Sequence, residues 1–410
     1  MIVGASLAGA KAAETLRAEG FDGRVVLIGA EPHRPYERPP LSKQLLRGES
    51  NVEDAYVHEE SFYVDHDIEL RLGERVTQID PHATVVHLES GERIAYERLL
   101  IATGARPRRL HLPGADLDGI HYLRDLTDTV ALRQGLASAT RVAVVGAGWI
   151  GSEVAASARQ LGHQVAVIDP GPFPLWILGA EIGVVYRDLH AEHGVDLHLN
   201  ETVEGFVGDH AVAGVVTAGG QTIDADLVVI GIGVGPRIEL AQRAGLAIDN
   251  GIAVDERLET STPGVFAAGD AAAAWHPTLR RRIRVEHWAN ALHQGVAAAR
   301  NMLGAAVPYD RVPYFYSDQY DLGMEYSGYA PTWDRVVFRG DPETREFIAF
   351  WLTDDRVVAA MNANVWDVSE PLGSLVAAQR VIDVARLLDP DVPLEAVHLG
   401  AADAAAGRRR

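Results

Sequence analysis

"RVAVVGAGWIGSEVAASARQLGHQVAVIDP" occupies residues 141–170 and decides how the chain folds. A β-branched run, Val142 to Val145, leads into Gly146-Ala147-Gly148-Trp149-Ile150-Gly151, then an Ala-rich helical stretch, then a second apolar run ending on Asp169. This is a full G-x-G-x-x-G between a strand and a helix. Gly146 makes the tight turn, Gly148 lets backbone approach a pyrophosphate, and Gly151 lets the helix lie close on the strand, while the helix N-terminus adds positive potential. Asp169, about twenty residues after the fingerprint, ends the next strand where a carboxylate can accept a ribose 2′-hydroxyl. Glycines alone are equally served by a ligand-free tight turn; both strands and the acid together make a dinucleotide site. From Asp169 to Leu178 there is no Arg or Lys, so a 2′-phosphate finds no cation and NADH is expected over NADPH.

The opening residues repeat the unit in weaker form. "MIVGASLAGAKAAETLRAEGFDGRVVLIGAE" (1–31) reads as strand, turn, helix and strand, with Ser6 where the second glycine of Gly4-Ala5-Ser6-Leu7-Ala8-Gly9 belongs. Serine is small enough to admit a pyrophosphate and brings a hydroxyl donor. Glu31 follows the second strand, Val25 to Ile28, at the place for an adenosine ribose. Two such βαβ units imply two dinucleotide sites, not a solenoid. Further strand signals are "ATVVHLES" (83–90), "RLLIATGARPR" (98–108, containing Ala102), "DLVVIGIGVGP" (226–236, containing Gly233) and "PGVFAAGDAAAA" (263–274). The last is expected to end in a helix start, and Asp270 there is either an N-cap or a carboxylate for polyol hydroxyls beside a helix N-terminus. After Pro308 aromatic and β-branched runs alternate with polar turns, and a helix-period segment spans Gly373 to Leu388. These residues read as a separate α+β domain, a sheet meander followed by a helix.

A chain of 410 residues exceeds one ordinary core, so two or three domains are expected. The 37 basic and 57 acidic residues leave a net charge of −20, which opposes nucleic-acid binding. "LRRRIR" (279–284) and Arg408-Arg409-Arg410 are local basic runs, read as solvated faces. There is no cysteine, which excludes disulfides, thiol catalysis and thiolate ligation of iron–sulfur or haem groups. No apolar run reaches membrane-spanning length and no signal peptide precedes the first strand, so a cytoplasmic protein is expected, with a native start upstream of Met1 left open. The sixteen histidines fall in no ligand spacing, and no metal is expected.

"RPYERPPLSK" (34–43) stands out because it ends on Lys43, one of only two lysines, the other being Lys11. Composition leaves it open whether Lys43 is a solvated side chain at a helix start or a chemical group.

The set "IVGASLAGAKAAETLR", "RPYERPPLSK", "LLIATGARPR", "VVGAGWIGSEVA", "VFAAGDAA", "VEHWANAL" and "PYFYSDQYD" resembles the FAD-dependent NAD(P)H:ferredoxin reductases, the putidaredoxin reductase and rubredoxin reductase-like branch of the glutathione-reductase-type flavoproteins, from Ile2 to about Leu388. The resemblance implies an α/β fold with two Rossmann-like dinucleotide-binding domains and a C-terminal α+β domain. It places a discontinuous FAD domain at 1–107 and 237–306, an NAD domain at 108–236 and a C-terminal interface domain at 307–410. FAD contacts are implied at Gly4, Ser6, Ala8, Gly9, Glu31, Arg38, Lys43, Val76, Ala102, Arg124, Asp270 and Trp288, and NAD contacts at Gly146, Gly148, Ile150, Gly151, Glu153, Asp169 and Gly233. Lys43 would sit near flavin N5, paired with Glu153, with Trp288 beside the isoalloxazine; these three form the implied catalytic set. Hydride would pass from NADH to the flavin, and single electrons to a 2Fe–2S or related ferredoxin serving a cytochrome P450 or ring-hydroxylating oxygenase. A monomer or weak dimer is implied.

The chain departs from the family at Ser6, at Pro172-Phe173-Pro174-Leu175-Trp176, where an arginine often follows the acid, and at Tyr316, where tryptophan is usual. For docking an acidic ferredoxin, residues 289–303 offer only Arg300, so Arg280, Arg281, Arg282 and Arg284 are the candidate substitutes. Two other readings stand beside this one: an NADH oxidase or diaphorase using oxygen or quinone, and a slow NADH-sensing flavoprotein acting through partners.

Overall fold

The computed structural model describes residues 1–398; the arginines at 408–410 and the end of the expected 307–410 domain lie outside the described residues. Two compact units are present. One comprises Met1–Arg108, Arg124–Leu126 and Gly233–Arg311, the other Arg109–Leu123, Thr127–Ile232 and, of the described residues, 312–398.

The first unit is built on a parallel five-stranded sheet in the order Val265–Ala267, Leu99–Ile101, Ile2–Val3, Val25–Ile28, Ile68–Arg71. Its central strands are covered on both faces, which is why they read as unbroken apolar runs and not as alternation. Helix Leu7–Ala18 leaves the first strand, and helix Trp288–Met302 lies against it through small residues, Ala8 on one side and Gly295 on the other, with Ala12 and Ala298 in the same cluster. The approach is backbone to backbone: a Cβ added at Gly295 would sit 2.3 Å from the Ala8 carbonyl oxygen.

The helix start expected after Asp270 does not form. Gly269–Ala271 is a single 3-10 turn, and Ala272–His276 continues as a strand. Pairing decides this, because the alanine run has Ile252–Val254 as a parallel neighbour on one side and Arg281–Ile283 as an antiparallel neighbour on the other. Two-sided ladder bonds outweigh alanine's intrinsic helix preference.

The second unit carries its own parallel sheet, in the order Asp196–Leu199, Gln164–Asp169, Arg141–Val145, Leu227–Ile230, Ile120–Tyr122. It also carries an antiparallel sheet of five strands, ordered Tyr314–Gln319, Leu322–Gly328, Arg356–Ala363, Glu346–Thr353, Arg335–Asp341. This is not the expected meander, because the last strand in sequence pairs with the second. Side-chain alternation explains the order. Phe347, Ala349 and Trp351 pack into a cluster with Tyr186 and Leu189, while Ile348, Phe350 and Leu352 pack into another with Leu372 and Val376. A strand apolar on both faces takes an inner position, and the half-exposed Arg335–Asp341 falls to the edge. The expected helix over 373–388 is two helices, Ser369–Ala378 and Val384–Leu388, parted at Gln379, whose φ of 50° lies in the left-handed region.

Gly295→Ala should lower the melting temperature, because the added methyl meets backbone and overpacking costs about 1–3 kcal/mol. In a free helix the same change stabilises, so a raised melting temperature in thermal denaturation would refute the close approach.

Candidate functional site

In the first unit the glycine turn closes on itself. Gly4 has a φ of 122°, and a Cβ there would lie 2.0 Å from the Ala102 carbonyl oxygen; one at Gly9 would lie 2.0 Å from that of Gly4. Ser6 precedes the helix in extended backbone and makes no side-chain capping bond, so its hydroxyl stands at the helix N-terminus without a capping task. These features fit a pyrophosphate, since small residues and backbone N–H groups are what an anion needs there.

Four of the expected FAD residues meet in one network. The Tyr36 hydroxyl donates to Glu31 Oε2 at 2.5 Å, and Arg38 Nη2 donates to Glu31 Oε1 at 3.3 Å. Arg38 also donates to the Arg124 carbonyl, and Arg124 Nη2 donates to Asp270 Oδ2 at 2.7 Å. Burial opposes the Arg38 charge, yet Tyr36, Glu31 and Asp270 together hold its pKa above the ordinary value. Asp270 is therefore not an N-cap; its carboxylate is held by Arg124. Tyr36 has no role in the sequence reading although it lies inside "RPYERPPLSK"; it also accepts from the Leu126 N–H at 3.3 Å. Val76, at the start of strand Val76–Asp80, and Ala102 are both buried in this unit.

Lys43 is 4% exposed, so it is not a solvated side chain. Pro39–Ser42 forms a 3-10 turn that ends on it, and its Nζ reaches the Pro39 carbonyl at 3.4 Å. Lys11, by contrast, pairs with Glu14 at 2.8 Å on a helix surface. Trp288 opens helix Trp288–Met302, and burial pulls the neighbouring His287 down to about 4. Arg282 donates to the Ala273 carbonyl at 2.8 Å and the largely covered Arg284 side chain pairs with exposed Glu286, so both are engaged within their own unit; Arg280 and Arg281 are exposed. Gly233, with a φ of 90°, faces open space.

The second unit repeats the turn more tightly. A Cβ at Gly151 would lie 1.8 Å from the Gly146 carbonyl oxygen, while one at Gly148 would meet nothing within 4 Å. Only the position that a pyrophosphate must approach is open, which fits a second dinucleotide. Asp169 is buried, and its Oδ2 and Oδ1 accept the N–H groups of Ala147 and Gly171, each at 2.6 Å. The acid thus holds the fingerprint loop, and a ribose hydroxyl would be a third partner. Ile150, in the first turn of helix Trp149–Gln160, is exposed.

Glu153, buried one turn into the following helix, ends a directed chain of hydrogen bonds. Ser317 Oγ donates to its Oε1 at 2.7 Å, and Gln319 Nε2 donates to Ser317 Oγ at 3.4 Å. Gln319 Oε1 can only accept, so His190 Nε2 donates to it at 2.9 Å, and the Tyr320 hydroxyl donates to His190 Nδ1 at 3.3 Å. Every donor points towards the carboxylate, the orientation that polarises a chain in favour of negative charge. Sequence reasoning missed Ser317, Gln319 and His190. The i, i+2 spacing of Ser317 and Gln319 puts both on one face of strand Tyr314–Gln319, the one available signal.

Residues 1–295 match the model of the pyridine nucleotide-disulphide oxidoreductases. The chain belongs to the pyridine nucleotide-disulphide oxidoreductase family. Residues 314–398 match a second model, the reductase C-terminal domain. Within this oxidoreductase family the chain is 40% identical, over 96% of its length and 98% of the other's, to the ferredoxin–NAD(+) reductase component of an anthranilate 1,2-dioxygenase system from Burkholderia cepacia. It is 39% identical to rhodocoxin reductase of Rhodococcus erythropolis, over 89% of this chain and 86% of that one. The crystal structure of a covalent putidaredoxin reductase–putidaredoxin complex matches with a TM-score of 0.92 at 34% identity, covering 100% of this chain and 98% of that one. The expected α/β reductase fold with two Rossmann-like halves and an α+β end is borne out, and so is an oxidoreductase of this family. The disulphide chemistry in the family's name is closed to this chain, which has no cysteine. Among the described residues no helix is long and apolar enough to cross a membrane.

Burial pulls His190 from 6.5 down to about 4, against the bond to Gln319 that raises it. A depressed histidine pKa adds stability above the unfolded value and loses it as pH falls from about 6.5 towards 4, because the unfolded state takes the proton first. From pH 7.5 to pH 5 this one group should cost about 2 kcal/mol. Denaturant midpoints at the two pH values should therefore fall further for the wild type than for His190→Asn; equal falls would show that His190 does not titrate on unfolding.

Proposed function

We propose that the protein is a cytoplasmic FAD-dependent NADH:ferredoxin reductase, passing single electrons to a 2Fe–2S or related ferredoxin that serves an oxygenase. One observation carries this: two fingerprint turns closed in the same way, Gly9 on Gly4 and Gly151 on Gly146, in a chain with no cysteine. Two dinucleotides without a thiol relay leave an external acceptor as the outlet. Relatives named as ferredoxin–NAD(+) reductase components of oxygenase systems support the choice of acceptor.

We assign FAD to residues 1–107 and 237–306, NADH to 108–236, and the interface role to 307–410. Gly4, Ser6, Ala8 and Gly9 would hold the FAD pyrophosphate and Glu31 its adenosine ribose, with Arg38 and Arg124 fixing Glu31 and Asp270, and Val76 and Ala102 lining the pocket. Gly146, Gly148, Ile150 and Gly151 would hold the NADH pyrophosphate, Asp169 its ribose, and Gly233 would leave room for the chain to pass. A bound flavin supplies the exchange between a two-electron donor and a one-electron acceptor. Lys43 contributes a compact buried ammonium that stabilises an electron-rich ring edge, a task a planar guanidinium does differently. Glu153 would be oriented by Ser317 in the NADH half, and Trp288 would exclude water in the flavin half.

The engagement of Arg282 and Arg284 within their own unit thins the basic docking face and favours, to that extent, a second reading as an NADH oxidase or diaphorase. NADH-driven cytochrome c reduction, with and without a 2Fe–2S ferredoxin and with oxygen followed in parallel, separates them. A large ferredoxin-dependent rise is expected; fast oxygen uptake with no ferredoxin effect would replace the proposal with the second reading. Lys43→Arg should slow flavin reduction by NADH roughly tenfold or more, the scale of one electrostatic contact to developing charge. A stopped-flow rate equal to the wild type would remove Lys43 from the chemistry.

A further inference from the structure

Trp176 and Ile177 are 57% and 64% exposed, side by side on one 3-10 turn, Trp176–Leu178. An exposed apolar pair of this size calls for an occupant. The turn is not loose. Leu175, held at a φ of 51°, donates its N–H to the Ala147 carbonyl at 2.9 Å, which ties the turn to the glycine fingerprint. Leu175 and Leu178 are buried with Ile182 and Trp351, and Trp351 Nε1 donates to the Leu178 carbonyl at 2.9 Å. Two residues are thus anchored inward so that the two between them face out.

The position of the indole is set by Gly171. A Cβ at Gly171 would lie 2.4 Å from Trp176 Cδ1 and 2.8 Å from Asp169 Oδ1, so the indole edge, the glycine and the carboxylate meet at one spot. No side chain larger than hydrogen fits between them. A nucleoside whose ribose reaches Asp169 has its base within a few atoms of that ribose, hence beside Trp176. The stretch 169–178 contains no cation, so apolar and aromatic contact is what it offers.

We propose that Trp176, flanked by Ile177, is the platform on which the adenine ring of the dinucleotide stacks, taking the place of a cation in holding the adenosine half. The proposal rests on the reading of the Gly146–Gly151 turn as the NADH site. It has the chain hold the adenine end through an aromatic contact and not a charged one, while Asp169 and the absence of a cation over 169–178 act on the ribose.

The test uses the flavin-loaded protein and calorimetric titration with two fragments, ADP-ribose and nicotinamide mononucleotide. Trp176→Ala should weaken ADP-ribose binding roughly tenfold or more, the scale of one base stacked on an aromatic ring. Nicotinamide mononucleotide binding should stay unchanged, and Trp176→Phe should retain most of the ADP-ribose affinity. Trp176 is half in solvent, so both variants should melt with the wild type, which separates lost stacking from a lost fold. Equal ADP-ribose affinity in Trp176→Ala overturns the proposal. So does a loss confined to the ferredoxin response, which would make the pair a partner contact. Should the wild type bind neither ADP-ribose nor NADH, the nucleotide reading of the site fails, and this inference with it.

Discussion

A helix pressed onto a turn is the contact on which both halves of the molecule depend. In each unit the last glycine of the fingerprint packs against the carbonyl of the first, and a methyl there would sit 2.0 Å or less from that oxygen. The contact fixes the helix axis relative to the strand, and with it the direction in which the first turn's free N–H groups point. Asp169 then locks the loop by accepting from Ala147, and Leu175 hooks the next segment to the same residue. These contacts are made by the chain's own groups, so they lower the ordering cost that an anion would otherwise meet on binding.

Buried charge is the second organising constraint. Arg124 and Asp270 neutralise one another in the first unit beside the half-exposed Arg38–Glu31 pair, and Asp169 and Glu153 are each supplied with donors in the second. Such groups do little for net stability compared with apolar substitutes, but an unmatched one is costly. Their arrangement therefore selects one geometry over its neighbours. The run from Tyr320 through His190, Gln319 and Ser317 does this for a single carboxylate with side chains from a strand, the residue after it and a helix.

The parts legible in the sequence are those whose signal is local. Both glycine turns, the acid ending each following strand and the strands of the C-terminal sheet follow from short-range pattern. The strand Ala272–His276 was hidden because alanine favours helix until neighbours on both sides claim its backbone. The order of the antiparallel sheet was hidden for a similar reason, since alternation says which strand is covered twice but not which partner covers it. Ser317, His190 and Tyr36 are ordinary residues until the fold brings Glu153 and Glu31 to them. Exposure of Trp176 was equally invisible, because an aromatic residue between Leu175 and Ile177 reads as core.

The single bond from Trp351 to the Leu178 carbonyl bears on modularity. One face of the C-terminal sheet shares its apolar cluster with helix Ala180–Glu192 and with the turn before it, so on that face the two have a common interior. A graft that exchanged residues after 312 between relatives would swap half of a core while keeping the other half. Successful chimaeras should need the 175–192 segment to travel with the sheet. The terminal segment and the nucleotide half are then one inherited block, and variation in either is constrained by the shape of the other.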